Sequence, residues 1–393
     1  RSLNFVARIK LSPHTSSVKL FLGSFKPVST PLDKPISVFL VVTFASALFN
    51  PGWSNSLYAW LTKIVEWFAI FYLFAEAFQT AKQIRTALYV WIVTASATVL
   101  DAFSQTYVTG RDIFMGHPIS SEGATAGFKH NNSLGAYLAV FVPFIASFLF
   151  VPFDRKKRLG ISAIVFLSAG GLAISLCRAA WLALGLSSLA IIPVLLKSKI
   201  LRICSVLAAA GLFIGYILFM AGAVSLPNIG PNTLSDSANW RVQIWEDSLA
   251  MVKERPCLGH GINTYMKKFQ DYRKQYHWQE GGKSGWAAMS PVYAHNCYLQ
   301  MLVEAGVLGF LAFVWIFFCV VQSLVVVILR PGNKGNARAV LAGMLAGIAA
   351  FLIHSFFDTH FYSLQLSSYF WATAGLSISL ARLLKEDGLC DIK

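Results

Sequence analysis

Charge is scarce in this chain: Asp, Glu, Lys and Arg make up 13% of its residues, against 56% hydrophobic ones. A soluble protein of this composition would need buried helices throughout, so a soluble fold is excluded as the working expectation. The alternating ten-residue segments of a membrane barrel are missing too. The six cysteines, at 177, 204, 257, 297, 319 and 390, show no CxxC or zinc-type spacing. There is no DxD pair, no P-loop, no HExxH and no GxSxG, and hence no sign of a metal, a nucleotide or a serine nucleophile. No solenoid-period repeat, low-complexity tract or cleavable signal peptide is visible.

What the chain does have is apolar runs near twenty residues, the length that crosses a hydrocarbon core. The fold class expected is all-α, a polytopic membrane protein with about ten spans. They read near 36–49, 56–78, 84–104, 132–152, 159–177, 179–196, 203–224, 300–329, 338–357 and 362–383. Alternation places both termini on one side with Lys82/Arg85, the run Arg155 to Arg158, Lys197/Lys199/Arg202 and Arg330/Lys334/Arg338. By the positive-inside rule that side is the cytoplasm. The opposite-side connections 50–55 and 358–361 carry no Lys or Arg. The net charge of +15 therefore reflects topology, and nucleic acid is not expected as a partner.

The expected organisation is a cytoplasmic segment over 1–35, helices one to seven over 36–224, an outer loop over 225–297, helices eight to ten over 298–384, and a cytoplasmic tail over 385–393. The first residue is Arg rather than Met, so the natural N-terminus, with further spans, is expected upstream. Within the outer loop, SANWRVQIWEDSLAMVKERP predicts a helix: Trp240, Ile244, Trp245, Leu249 and Val252 recur at near-helical spacing, and Pro256 stops it. Two tryptophans on one face suit a helix lying at the membrane interface. The glycines of LGHGINTY mark a tight turn. Of the cysteines, 177, 257 and 297 fall at or beyond the outer face. Cys257 and Cys297 could form a bridge there or stay plain thiols.

Several polar residues stand at that outer face. Arg178, in SLCRAAWLALG, is costly near hydrocarbon unless paired. It either snorkels into headgroups or serves a function. Arg241, beside Trp240, either binds lipid phosphate or stacks, or offers the planar fork of donors that a pyrophosphate ester requires. His295, in AHN at the re-entry into span eight, has the side chain suited to acid–base work near neutral pH, though a lone histidine is often structural. Lys63 and Glu66, at i and i+3, either neutralise each other or belong to an ion path with Asp101. His354, Asp358 and Glu304 also sit toward outer span ends.

Three motifs in order, SLCRAAWLALG, NWRVQIWEDSLAMVKERPCLGHGINTY and YAHNCYLQMLVEAGVLG, with a large outer loop between them, resemble the O-antigen ligase and polymerase superfamily of bacterial envelope glycosyltransferases. FKHNNSLGAYLAVFVPF is similar to the helix that precedes them. The resemblance covers roughly 125–330; the first hundred residues match only in being hydrophobic, and fewer spans are readable than the roughly twelve typical of the family. It implies an inner-membrane enzyme whose active site faces the periplasm. Such an enzyme takes a glycan from an undecaprenyl-diphosphate carrier to an acceptor without metal, cofactor or nucleotide sugar. Carried over by position, Arg178 and Arg241 would bind the pyrophosphate and His295 would be the general base, with Asn296, Glu304, His130 and Lys129 as supporting residues.

The expected activity is thus ligation of an O-antigen-like glycan to lipid A–core, with membrane lipids as surroundings. A polymerase that extends a second carrier-linked glycan, or a protein-glycosylating relative, would share the chemistry. From another class, a transporter or flippase would instead use Lys63, Glu66 and Asp101 near the midplane.

Overall fold

A computed structural model of the chain describes residues 29–119, 122–195, 199–200, 203–204, 207, 211, 231–276, 293–330 and 336–386. Regular structure among them is helical, apart from one isolated antiparallel bridge between Arg111 and Pro118. The helices are α1 (Asp33–Leu48), α2 (Trp53–Ala77), α3 (Ala81–Thr109), α4 (Asn131–Ser147), α5 (Arg155–Ile174), α6 (Arg178–Leu195), α7 (Pro231–Glu254), α8 (Tyr265–Tyr276), α9 (Cys297–Leu329), α10 (Asn336–His354) and α11 (Leu364–Glu386). The chain is an all-α, polytopic membrane protein. Six of its helices, α2, α3, α4 (extended to Phe150), α5, α9 and α10, are long and apolar enough to cross a membrane. The predicted seventh span, 203–224, lies largely outside the described residues, as do the N-terminal segment and the tail.

α10 is the centre of the bundle and packs against α4, α6, α9 and α11. Small residues let it approach: a side chain on Gly347 would lie 2.6 Å from the Val140 carbonyl of α4. That is how membrane helices gain van der Waals contact where lipid offers no hydrophobic drive. Around it, α2 packs on α11, α1 on α9, and α3 on α5. Arg382 of α11 donates to the Ala75 and Phe78 carbonyls at the end of α2, and the Ser379 hydroxyl of the same helix also donates to Phe78.

An aromatic core fills the middle. Phe361, buried, lies 4.9–5.3 Å from the ring centres of Phe313, Phe317, Phe351 and Phe370 on α9, α10 and α11. Such pairs add about 0.5–1.5 kcal/mol each beyond area burial. Phe361 belongs to the short turn between α10 and α11, so this packing fixes the neighbouring Asp358 and His360.

α9 is broken. Gly306 adopts φ +66°, interrupting the helix between Glu304 and Val307. The segment 256–261 fills the gap: His260 and Gly261 N–H donate to the Val303 and Glu304 carbonyls, and Val307 N–H donates to the Pro256 carbonyl. Irregular backbone survives at membrane depth only where protein satisfies it, as here. Only glycine suits the site, because a Cβ at Gly306 would overlap the Cys257 carbonyl.

The predicted loop helix is present as α7, but its packing differs from a helix resting on lipid. Trp245 packs on Phe356, and its indole N–H donates to the Ala294 carbonyl at 3.0 Å. Ile244 and Met251 join Tyr265, Phe269, Ala294 and Val303 in a small separate core. α7 and α8 therefore clamp the first turns of α9. Burial against protein outweighs the interfacial preference of tryptophan.

One further expectation is corrected and one open alternative is resolved. Lys63 does not pair with Glu66: it donates to Asn263 Oδ1 at 2.8 Å and faces the Glu304 charge. A π-helical turn at Trp60–Val65 shifts the helical register that the i, i+3 reading assumes. Cys257 and Cys297 are both free. The Cys297 thiol is buried and donates to the Asp358 carbonyl, while Cys257 is exposed on the segment that plugs α9.

Candidate active site

Four segments meet at the end of the bundle read as outer: the start of α4, the α5–α6 turn, the start of α9, and the α10–α11 turn. Asn132 of α4 donates to Asp358 Oδ2 at 3.1 Å, and Asn131 donates to the Ser175 carbonyl at 3.0 Å. Cys297 N–H donates to the Ser355 carbonyl at 2.8 Å. At Gly135 a side chain would collide with Cys177, so the absence of one lets α4 seat against the start of α6.

His295 and Asn296 have separate jobs. The Asn296 side chain caps α9, accepting from Tyr298 and Leu299 N–H at 3.0 Å each, which satisfies two orphan donors of the first turn. His295 precedes the cap at φ +48°, a conformation uncommon for a residue with a side chain and concentrated at functional sites. Its Nδ1 lies 3.2 Å from Asp358 Oδ1. The imidazole is about 29% exposed and the carboxylate about 18%, so the pair sits at the surface of the site.

Burial alone would raise the Asp358 pKa. The hydrogen bond from His295, the nearby His360 and the Thr359 N–H overcome that and hold the carboxyl well below the usual range. An ionised Asp358 accepts from the Nδ1–H tautomer of His295, which leaves Nε2 carrying the lone pair. A carboxylate that fixes tautomer and orientation is the device by which an imidazole becomes a directed base.

Beneath the pair, His360 Nε2 lies 2.7 Å from His354 Nδ1, and His354 Nε2 lies 3.3 Å from Cys177 Sγ. Burial lowers the His360 pKa and pushes the Cys177 thiol up to about 12. His360 is therefore neutral and the thiol protonated at neutral pH. This chain links the turn bearing Asp358 to the residue immediately before Arg178.

Arg241, on α7, acts electrostatically on both Cys177 and His354, which puts its charge beside the same cluster. Its Nε is buried with no hydrogen-bond partner among the described residues. A buried unsatisfied guanidinium donor calls for an explanation, and an anionic ligand is one. Arg178 opens α6 with an exposed side chain. Lys129 and His130 stand exposed just before α4, with His130 at its N-cap position.

Glu304 lies apart from His295. Fully buried, it accepts from Asn263 N–H at 2.9 Å, Tyr265 N–H at 3.2 Å and Tyr362 OH at 2.8 Å. It thus anchors the segment before α8 to α9 and to the α10–α11 turn. Sequence reading named Asp358 only as one of several outer charges; its tie to His295 needs the two ends of a 63-residue separation to meet. The short, uncharged-looking connection FDTHFY carried no motif to mark it.

No curated protein matches the chain. Residues 163–314 match the family model described as O-antigen ligase. The matched segment is narrower than the resemblance over 125–330, yet it takes in Arg178, Arg241, His295, Asn296 and Glu304, while Asp358, His130 and Lys129 fall outside it. That match takes in both arginines and the histidine, so the region holding them is similar to the O-antigen ligase family, in keeping with the resemblance to the O-antigen ligase and polymerase superfamily.

Proposed function

We propose that the protein is a metal-independent, inverting glycosyltransferase of the ligase type. It moves a glycan from undecaprenyl diphosphate to an acceptor on the periplasmic face of the inner membrane, joining an O-antigen-like polysaccharide to lipid A–core. The observation that carries this reading is the His295–Asp358 pair beside Arg241, whose Nε has no partner among the described residues.

In this reading His295 Nε2 takes the proton from the acceptor hydroxyl as its oxygen attacks the anomeric carbon. The bond from that carbon to the diphosphate oxygen breaks, and the electron pair leaves with the diphosphate. Attack from the face opposite the leaving group inverts the centre. Arg241 and Arg178 bind the pyrophosphate and stabilise the charge that develops on it, with fixed donors that need no reorganisation. Asp358 touches no substrate; it orients His295. Lys129 and His130, exposed at the rim, lie where a second anionic group of donor or acceptor would pass. Asn296 and Glu304 support the site by capping and by anchoring the outer loop. Two of the three charges a transporter would use are engaged locally: Lys63 with Asn263, and Asp101 with the Ile113 amide.

The test supplies the purified chain in proteoliposomes with an undecaprenyl-diphosphate glycan and either lipid A–core or a second carrier-linked glycan. Lengthened lipid A–core supports the ligase assignment; extension of the carrier-linked glycan instead replaces it with a polymerase. Transfer that survives His295→Ala removes the histidine from the mechanism. Solute uptake without any glycan transfer sinks the enzyme reading.

A further inference from the structure

α3 carries a carboxylate, Asp101, that the glycosyl-transfer reading does not use. It is 2% exposed, its Oδ1 accepts from the Ile113 N–H at 2.7 Å, and its Oδ2 has no partner. Asp101 lies eight residues before the end of α3 at Thr109, about 12 Å back along a helix that rises about 1.5 Å per residue. The chain that leaves α3 at its outer end therefore turns back and runs beside it.

The returning segment is a hairpin. Arg111 and Pro118 form its bridge, and Asp112 and His117 exchange a backbone hydrogen bond of 3.0 Å. Gln105 of α3 donates to the His117 carbonyl at 3.1 Å and pins the returning arm. The tip is Ile113-Phe114-Met115, exposed by 69%, 57% and 59%. Three large apolar side chains on one tight turn in water would be unfavourable.

The backbone of the tip is provided for from within. Asp112 Oδ1 accepts from Met115 N–H at 2.6 Å and Oδ2 from His117 N–H at 2.7 Å, while the Asp112 carbonyl takes Gly116 N–H. With Asp101 on Ile113, four of the five amides from Ile113 to His117 are bonded within the chain. That lessens the cost of bringing non-helical backbone to the membrane. The tip also continues an apolar exposed surface: Val93 and Leu100, on the same helix, are 67% and 60% exposed. At 29 residues, α3 is about 43 Å long against a hydrocarbon core of about 30 Å, so the level of Asp101 falls inside the core.

From these observations we infer that residues 111–118 form a re-entrant hairpin whose Ile113-Phe114-Met115 tip dips into the outer leaflet and is solvated by bilayer hydrocarbon, with Asp101 as its tether. It ends at Pro118, eleven positions before Lys129 in the chain. The inference depends on the orientation of α3, and not on the proposed chemistry.

A photoreactive benzophenone amino acid placed at Phe114 of the full chain tests it. The protein is reconstituted in phosphatidylethanolamine–phosphatidylglycerol vesicles, irradiated, and scored by mass spectrometry for phospholipid adducts. The same probe at Val93 serves as lipid reference and at Lys267, exposed on α8, as water reference. The expected yield at 114 equals that at 93 and exceeds that at 267 by on the order of tenfold, the contrast between hydrocarbon and water. A yield at 114 no higher than at 267 overturns the inference. Adducts that appear only after a polyprenyl diphosphate is added also overturn it, since they assign the tip to a substrate tail. In an Asp101→Leu background the yield at 114 falls while that at 93 holds; an unchanged yield at 114 removes Asp101 as the tether.

Discussion

Asp358 and His295, 63 residues apart in the chain, meet at 3.2 Å, and the carboxylate is itself held by Asn132 Nδ2 and Thr359 N–H. Three separate segments thus determine which nitrogen of one imidazole faces the site. Phe361, two residues past His360's neighbour Thr359, sits in the aromatic core, so the orientation of His295 is set by the packing of the bundle.

Replacing Asp358 with Asn keeps the shape but puts an N–H where the lone pair was. His295 Nδ1 would then accept, and Nε2 would carry the proton and lose its basicity. We expect kcat for glycan transfer to fall by on the order of 10²–10⁴-fold with KM little changed, measured on proteoliposomes with matched amounts of protein. Because Asp358 stays ionised well below the ordinary carboxylate range, an acid limb in the pH profile of the parent protein should belong to another group.

Arg241→Lys keeps the charge but loses the planar fork. The parent Nε is buried without a partner among the described residues, so the variant should bind the diphosphate donor less well, by about 10–100-fold, as the loss of charge-assisted hydrogen bonds implies. Titration with undecaprenyl diphosphate followed by tryptophan fluorescence would measure this. Unchanged donor affinity would take Arg241 out of pyrophosphate binding.

Gly306→Ala forces a side chain into φ +66° and against the Cys257 carbonyl. At φ +66° and ψ −173° the backbone lies in a region essentially reserved to glycine, which costs another residue about 1–3 kcal/mol, and the overlap should expel the 256–261 plug. We expect a lower thermal midpoint in detergent and faster amide exchange at His260 and Gly261, with the membrane-buried half of α9 unchanged. A midpoint equal to that of the parent would contradict the plugged break.

His260 offers a pH readout of the same plug. Burial lowers its pKa below the ordinary 6.5, although the Met251 carbonyl, accepting from Nε2 at 2.9 Å, works against the shift. Its Nδ1 is buried and has no partner, so a proton there has nothing to bond. A histidine with a depressed native pKa stabilises the fold fully above 6.5, and that contribution is lost as pH falls from 6.5 toward the native value. Amide protection over 257–264, corrected for the intrinsic slowing of exchange in acid, should weaken on acidification below pH 6.5. In His260→Gln the dependence should flatten; an equally steep response would assign it elsewhere.

The sequence by itself determined the class of the fold and pointed to where the candidate site residues would stand. Apolar runs of membrane-spanning length leave few alternatives to helices, because backbone groups in hydrocarbon must bond within their own segment. The distribution of Lys and Arg then puts His295, Arg178 and Arg241 at one end. Local pattern also sufficed for α7 and for the Asn296 cap, since both depend on residues within a few positions of each other. What only the tertiary structure decided is pairing. Lys63 looked toward Glu66 in the chain but meets Asn263 and Glu304, Cys257 stays clear of Cys297, and Asp101 reaches the Ile113 amide. The partner of His295 is likewise Asp358 and not its neighbour Asn296. A side chain in a low-dielectric interior bonds to whichever donor or acceptor the packing brings near, and long loops let that partner come from anywhere in the chain.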